Sequence, residues 1–183
     1  QIKALLENNR DITQWVIWES EFNGHQIYTS LGEQEAIRAT DRRSWHIILM
    51  TPVSNPGGEP LLGQTEIEIV EGERDIASRI SAGVAQAQLH GSPAYSLPGP
   101  DEEYPDFTNV DPEIRDNPWQ TISRLKDELQ EAVDKETNIE VASSEFFINF
   151  ASNRLISSTG IDRTRESSKL TWDICLLYND GKA

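Results

Sequence analysis

Asn153–Lys169 reads NRLISSTGIDRTRESSK. Leu155 and Ile156 have strand character, Ser157-Ser158-Thr159-Gly160 interrupts it, and a segment rich in Thr, Arg and Ser follows. Hydroxyl side chains bond nearby backbone groups and Gly tolerates positive φ, so a Ser-Ser-Thr-Gly run between β-prone residues predicts strand, turn, strand. On either side, IEVASSEFFINFAS and LTWDICLLYND extend that strand character. The last third of the chain therefore reads as antiparallel sheet.

The first 70 residues predict more of the same. TQWVIWESEF and HQIYTSL flank Asn23-Gly24, a hairpin signal because both residues accept the positive φ of a type I′ turn. Gly32-Glu33 predicts another turn, and Asp41-Arg42-Arg43 separates QEAIRAT from SWHIILMT. Thr65, Ile67 and Ile69 alternate with Glu66 and Glu68, as in a strand with one wet face. This is a meander of about five strands, enough for an independently stable sheet. Ahead of it, Ile2, Leu5 and Leu6 hint at a short amphipathic helix.

Two segments carry helical period. Ile76, Ile80, Val84, Ala87 and Leu89 form one stripe, with Asp75 placed to cap its start and Gly91 to end it. Trp119, Ile122, Leu125, Leu129 and Val133 form the other, entered through Asn117-Pro118. Between them the chain is proline-rich and aperiodic, with seven acids against the single Arg115 from Asp101 to Asp116. Tyr95, Leu97, Tyr104 and Phe107 predict that this stretch is pinned to a surface. The expected fold is α+β: antiparallel β-meander sheet with two main amphipathic helices packed on it. Residues 1–97 form a meander plus helix, 98–118 an acidic connector, and 119–183 a helix plus antiparallel strands, the last either separate from the first part or in one compact domain with it.

The chain has 183 residues, which suits one domain or two small ones, since domains most often run to about 100–150 residues. Cys175 is the only cysteine, so no internal disulfide forms. Thirty-one acids against 16 Lys and Arg give a net charge of −15. That field repels phosphate backbones and anionic lipid, which argues against nucleic-acid and membrane partners; its simplest role is solubility. No run of about 18 apolar residues exists to span a bilayer, and a cytoplasmic location is the default.

No self-contained active site emerges. His25, His46 and His90 stand in no metal-ligand spacing with each other or with Cys175. Ser92 and Ser158 lack a neighbouring base or oxyanion device, and no GxSxG elbow or phosphate loop is present. Glu66 and Glu68 read as solvated alternation. Arg38, Arg42 and Arg43 cluster at one point and Arg154, Arg163, Arg165 and Lys169 at another, where ion pairing with the acid-rich surface is the simplest use.

The segment RLISSTGIDRTRESSKLTWDICLLYNDG resembles the central segment of the TldD/PmbA family of metallopeptidases. There, an apolar strand ends in an Asn-Ser-x-Gly turn before a Thr/Ser-containing strand. Ser158 and Gly160 match that Ser and Gly, and Thr164 the following Thr, whereas Ser157 stands where the family commonly has Asn. ERDIASRISAGVAQAQLHGSPAYSLP and DNPWQTISRLKDELQEAVDKETNIEVASSEFF follow the family's order of elements. The resemblance covers about residues 35–183.

It implies an N-terminal and central α+β region of a two-part protein. In the catalytic subunit of the family a C-terminal region binds zinc through an HExxxH motif and a cysteine; the partner subunit lacks the motif, and the two enclose a chamber where unfolded peptides are cut. The expectations are then no catalytic or metal residue in this chain, no cofactor of its own, and zinc at most in a missing C-terminal region. Expected partners are a family paralogue in a homo- or hetero-oligomer and a peptide or unfolded-protein substrate. Ser158, Gly160, Arg163 and Thr164 are the family-motif positions and candidate peptide contacts. Tyr178-Asn-Asp-Gly-Lys182, a hairpin signal just before Ala183, predicts that the native chain continues. The alternative is a stand-alone, non-enzymatic interaction domain.

Overall fold

A computed structural model describes residues 1–100 and 105–179 of the chain. In order, its elements are α1 (Ile2–Glu7), β1 (Gln14–Ser30), β2 (Glu33–Val53), β3 (Leu61–Val70), α2 (Ile76–Ala87), β4 (Ser92–Pro93), β5 (Phe107–Asn109), α3 (Pro112–Asp116), α4 (Pro118–Val133), β6 (Ile139–Ser157) and β7 (Asp162–Tyr178). The fold is mixed α+β, and hydrogen bonding joins seven strands in the order β4-β3-β2-β1-β6-β7-β5. None of the helices is long and apolar enough to cross a membrane among the described residues.

The first 70 residues hold three strands rather than about five. Asn23-Gly24 makes no hairpin and lies inside β1; Gly24 is absent from the positive-φ residues, and a Cβ there would stand 2.9 Å from the Phe22 ring. Its small size serves close approach, not a turn. Asp41-Arg42-Arg43 likewise continues β2 without a break. The turn between β1 and β2 falls at Leu31 (φ 48°) and Gly32 (φ 80°).

Spatial proximity divides the chain into two compact units. The first takes Gln1–Glu21, Arg42–Phe107 and Ser152–Arg165; the second takes Phe22–Asp41, Thr108–Ala151 and Glu166–Ala183. Strands β1, β2, β6 and β7 lend residues to both.

In the first unit, β2 and β3 pair antiparallel with Trp45 opposite Ile69, Ile47 opposite Ile67 and Leu49 opposite Thr65. Ile47, Leu49 and Ile69 are fully buried, whereas Glu66 and Glu68 point to water, so the alternation in the sequence is a true strand signal. Helix α2 covers this face with Ile80, Val84 and Ala87. Asp75 caps it by accepting from the Ser78 N–H at 3.1 Å. The helix ends at Ala87, short of Gly91, and Leu89, expected in the stripe, is 83% exposed. Gly63 on β3 is required here: a Cβ would lie 1.8 Å from the Ala87 carbonyl oxygen. Trp15, Ile17, Ile156 and α1 complete the cluster.

The second unit has its own core of Ile27, Ile122, Phe146 and Ile148, with Trp119, Leu125, Leu129 and Leu170 packed against it. Helix α4 starts at Pro118 as expected from Asn117-Pro118, although Asn117 makes no side-chain cap. Thr29 Oγ1 and Ser144 Oγ, both buried, satisfy one another at 2.7 Å. The described part of the acid-rich stretch, from residue 105 on, has regular structure that its aperiodicity does not predict. It contains β5 and α3, the latter capped by Asp111 accepting from the Glu113 N–H at 2.8 Å. Such short elements carry too few residues for a period to register.

Candidate functional site

The turn at Ser157–Gly160 is held by its own hydroxyls. Ser157, buried to 6% exposure, accepts from the Ile161 N–H at 3.1 Å through Oγ and meets Thr159 Oγ1 at 2.8 Å. Thr159 Oγ1 donates to the Pro98 carbonyl at 2.6 Å. Gly160 adopts φ 99°, a conformation that strains any residue with a Cβ. Ser158 docks on β1 twice: its N–H donates to the Trp15 carbonyl at 2.9 Å, and its Oγ accepts from the Trp15 N–H at 3.1 Å. Ser158 Oγ thus acts as a ladder acceptor, and among the described residues no base is poised to activate it.

Beyond the turn, the Thr164 N–H donates to Asp106 Oδ1 at 2.6 Å, and the Arg163 guanidinium donates to the Asp162 carbonyl at 2.9 Å. Arg165 lies over the Phe107 ring at 5.5 Å. Upstream, Tyr95 donates to Gln64 Oε1 at 2.6 Å, while Gln14 bonds both the Tyr95 carbonyl and the Leu97 N–H. Three of the four residues expected to pin the acidic stretch therefore have identified surface contacts; Tyr104 lies outside the described residues.

A charged row missed by the sequence reading runs across the first unit's sheet. Arg43 on β2 grips Glu19 on β1, and Arg154 on β6 grips Asp162 on β7. Arg43 holds its proton more firmly than usual, first through the hydrogen bond to Glu19 and then through that carboxylate's charge. Arg154 shifts the same way, first through Asp162, with Glu19 adding a smaller effect. The row borders a cleft of about 350 Å³ whose apolar lining includes Ile17, Trp45 and Ile156. A smaller cleft of about 170 Å³ is shared by Glu21, Thr164 and the same arginines. Thr164 is the candidate position that the fold places at this row. The sequence showed the arginine clusters, but not which acids face them, because these pairs join residues far apart in the chain.

The histidines remain dispersed. His25 meets Trp119 edge-on at 4.7 Å, and His46 pairs with Glu66 at 3.2 Å. Among the described residues, no group of three or more His, Cys, Asp or Glu is arranged to hold a metal ion. The geometry as described offers recognition of charged and backbone groups, with no nucleophile–base pair at the expected turn.

No family model matches the chain, and no curated protein does. Solved structures do match along its entire length. TldE from Thermococcus kodakarensis superposes with a TM-score of 0.76 at 15% identity. A candidate modulator of DNA gyrase from Thermotoga maritima gives 0.67 at 11%, and another from Bacteroides thetaiotaomicron 0.59 at 15%. All of this chain is covered in each case, but it spans only 40%, 43% and 40% of those three chains. The chain therefore has the fold of about two fifths of TldE and of two candidate DNA gyrase modulators, in keeping with the resemblance to the TldD/PmbA family.

Proposed function

We infer that this chain is a non-catalytic region of a TldD/PmbA-like protein, acting in subunit assembly and in the wall of a peptide-binding chamber. The observation that supports the reading is the match of this whole chain to about two fifths of TldE. The turn chemistry agrees with it, since Ser157, Ser158 and Thr159 are engaged in holding strands together. On this reading peptide hydrolysis belongs to a zinc subunit or region outside these residues. Arg163 and Thr164 are the peptide contacts of the motif, and Ser158 and Gly160 its frame.

The experiment pairs the purified chain with a TldD-like zinc subunit and follows co-elution and cleavage of an unfolded peptide. Co-elution with cleavage confined to fractions holding the zinc subunit supports the reading. Peptide hydrolysis by the isolated chain overturns its non-catalytic role, and absence of any association overturns the assembly role. Alanine at Arg163 and Thr164 is expected to slow cleavage by the assembly; unchanged cleavage removes those two residues from the proposal.

A further inference from the structure

Three strands of the first unit's sheet repeat one arrangement. On β1, β2 and β6 a charged residue stands two positions from an apolar one: Glu19 and Ile17, Arg43 and Trp45, Arg154 and Ile156. Residues two apart on a strand share a face. An apolar row therefore lies beside the charged row, and both line the cleft of about 350 Å³. Lys3 of α1 and Ile76, the first residue of α2, add to that lining. The volume is at the lower end of the range for small-molecule sites, about 300–1,000 Å³.

The charges in this cleft are unevenly committed. Asp162 gives both oxygens to Arg154, and Glu19 Oε1 takes two bonds from Arg43. Each arginine uses Nε and Nη2 in doing so and keeps Nη1, which has no partner among the described residues. Glu19 is the most enclosed of the four, with its side chain 16% exposed against 45% for Arg43 and 46% for Arg154. Lys3 holds only a loose pair with Glu7, at 3.8 Å. Three cations line the cleft against two carboxylates, a local positive excess in a chain of net charge −15. Arg43 is held over the Trp45 ring at 5.3 Å, so spare donors and an apolar wall are adjacent.

We propose that this cleft binds one small free carboxylic acid with an apolar body, its carboxylate on Arg43, Arg154 and Lys3 and its body against Trp45, Ile76 and Ile156. Glu19 and Asp162 already fix the two guanidinium planes, so little side-chain freedom is lost when the ligand's oxygens take the remaining N–H groups. The apolar body removes water from the aromatic and aliphatic wall, which a bare inorganic anion would leave wet. An amine of the same shape meets the positive excess. The three strands are interior in the order β3-β2-β1-β6-β7, where neighbours on both sides take their backbone groups. Recognition therefore falls to side chains, which suits a free acid better than an extended chain. The site does not depend on the peptide-chamber reading.

The test titrates the ¹⁵N-labelled 183-residue chain with octanoate, octanamide and octylamine, followed by NMR at the Trp45 indole N–H and the Nε–H groups of Arg43 and Arg154. Octanoate is expected to shift these signals and to bind at least about tenfold more tightly than octanamide, with octylamine leaving them unmoved. Its affinity should fall several-fold between about 0.05 and 0.5 M salt. Lys3→Glu and Arg154→Gln should each weaken octanoate about tenfold. Lys3 is an exposed residue of α1, so its variant keeps the proposal testable even if Arg154→Gln misfolds. Equal binding of octanoate and octanamide, tighter binding of octylamine, or no shift of these signals at about 10 mM octanoate overturns the proposal. Tighter binding of a short N-acetylated peptide ending in Leu gives the cleft to chain ends and overturns the free-acid assignment. Co-elution with a zinc subunit and cleavage by the assembly are separate readouts, so either reading can fail while the other stands.

Discussion

Arg154 on β6 and Asp162 on β7 meet fork to fork, with Nε–Oδ1 and Nη2–Oδ2 both at 2.7 Å, across the Ser157–Gly160 turn. The bidentate geometry aligns two bonds at once and ties the two arms of the hairpin. Both side chains are nearly half exposed, so water screens most of the attraction. The bond from Arg154 is the chief cause that draws the Asp162 pKa below the usual carboxylate value, with burial opposing it. Because the folded pKa is the lower one, the pair's stabilisation is complete above the unfolded carboxylate pKa. It fades as pH falls through the folded value.

Arg154→Ala and Asp162→Ala should therefore each cost at most about 1 kcal/mol in urea unfolding at neutral pH. A double-mutant cycle should show coupling that falls as pH drops below about 3.9, the unfolded carboxylate value, and shrinks in about 1 M salt. Coupling unchanged by both acid and salt would show that charge does not hold this hairpin.

The turn between β1 and β2 carries a correctable conflict. Leu31 adopts φ 48° and is 69% exposed, so its side chain gains little from burial while its Cβ strains a left-handed backbone. Its N–H still donates to the Ala142 carbonyl at 2.9 Å. Asn accepts this conformation readily, and Asn-Gly is the preferred pair for a turn of positive φ. Leu31→Asn should stabilise the chain by about 1 kcal/mol, an increase of roughly 2–4 °C in Tm for a protein of this size. An unchanged or lower Tm would refute the strain argument.

The same turn shows why parts of the fold were legible and others were not. Period and caps located α2 and α4 because each has several turns of apolar residues and a clear entry signal at Asp75 or Pro118. Thr65 to Ile69 alternated because one face of β3 is wet. Asn23-Gly24 misled for a physical reason: a glycine packed close to a neighbouring ring reads the same as a glycine required by a turn. At Leu31-Gly32 the turn was anticipated from Gly32, but no local rule favours leucine at positive φ. The charged row was illegible because Arg43–Glu19 is separated by 24 residues and depends on strand pairing. The Ser157–Gly160 turn was legible as a turn, whereas the docking of Ser158 on Trp15 spans 143 residues and had no local signature.

His25 provides a pH-dependent readout of the second unit. It stands edge-on to Trp119 at 4.7 Å, and burial pushes its pKa below the ordinary histidine value. A lowered folded pKa means that the unfolded chain binds the proton more readily. The contribution to stability is therefore full above about pH 6.5, the unfolded value, and is lost as pH falls toward the folded pKa. Titration followed by NMR should give His25 a midpoint below about 6.5. His25→Phe should flatten the decline in unfolding free energy between about pH 7 and pH 5. An unaltered decline would exclude His25 as its source.

Two buried threonines should respond with opposite signs to the same substitution. Thr51 on β2 is wholly buried opposite Gly63, and its Oγ1 has no hydrogen-bond partner among the described residues. Thr29 on β1 is equally enclosed, at 3% exposure, but its Oγ1 bonds Ser144 Oγ at 2.7 Å. Valine has nearly the same volume as threonine and lacks the hydroxyl, so cavity effects are small in both cases. At Thr51 the exchange removes an orphaned polar group and should stabilise by about 1 kcal/mol; at Thr29 it leaves Ser144 unpaired in the interior and should destabilise by about 1–2 kcal/mol. Urea unfolding of the two variants measures both changes. Destabilisation by Thr51→Val would mean that its hydroxyl is satisfied in solution, by water or by a local rearrangement, and would remove the physical basis for treating it as an orphan.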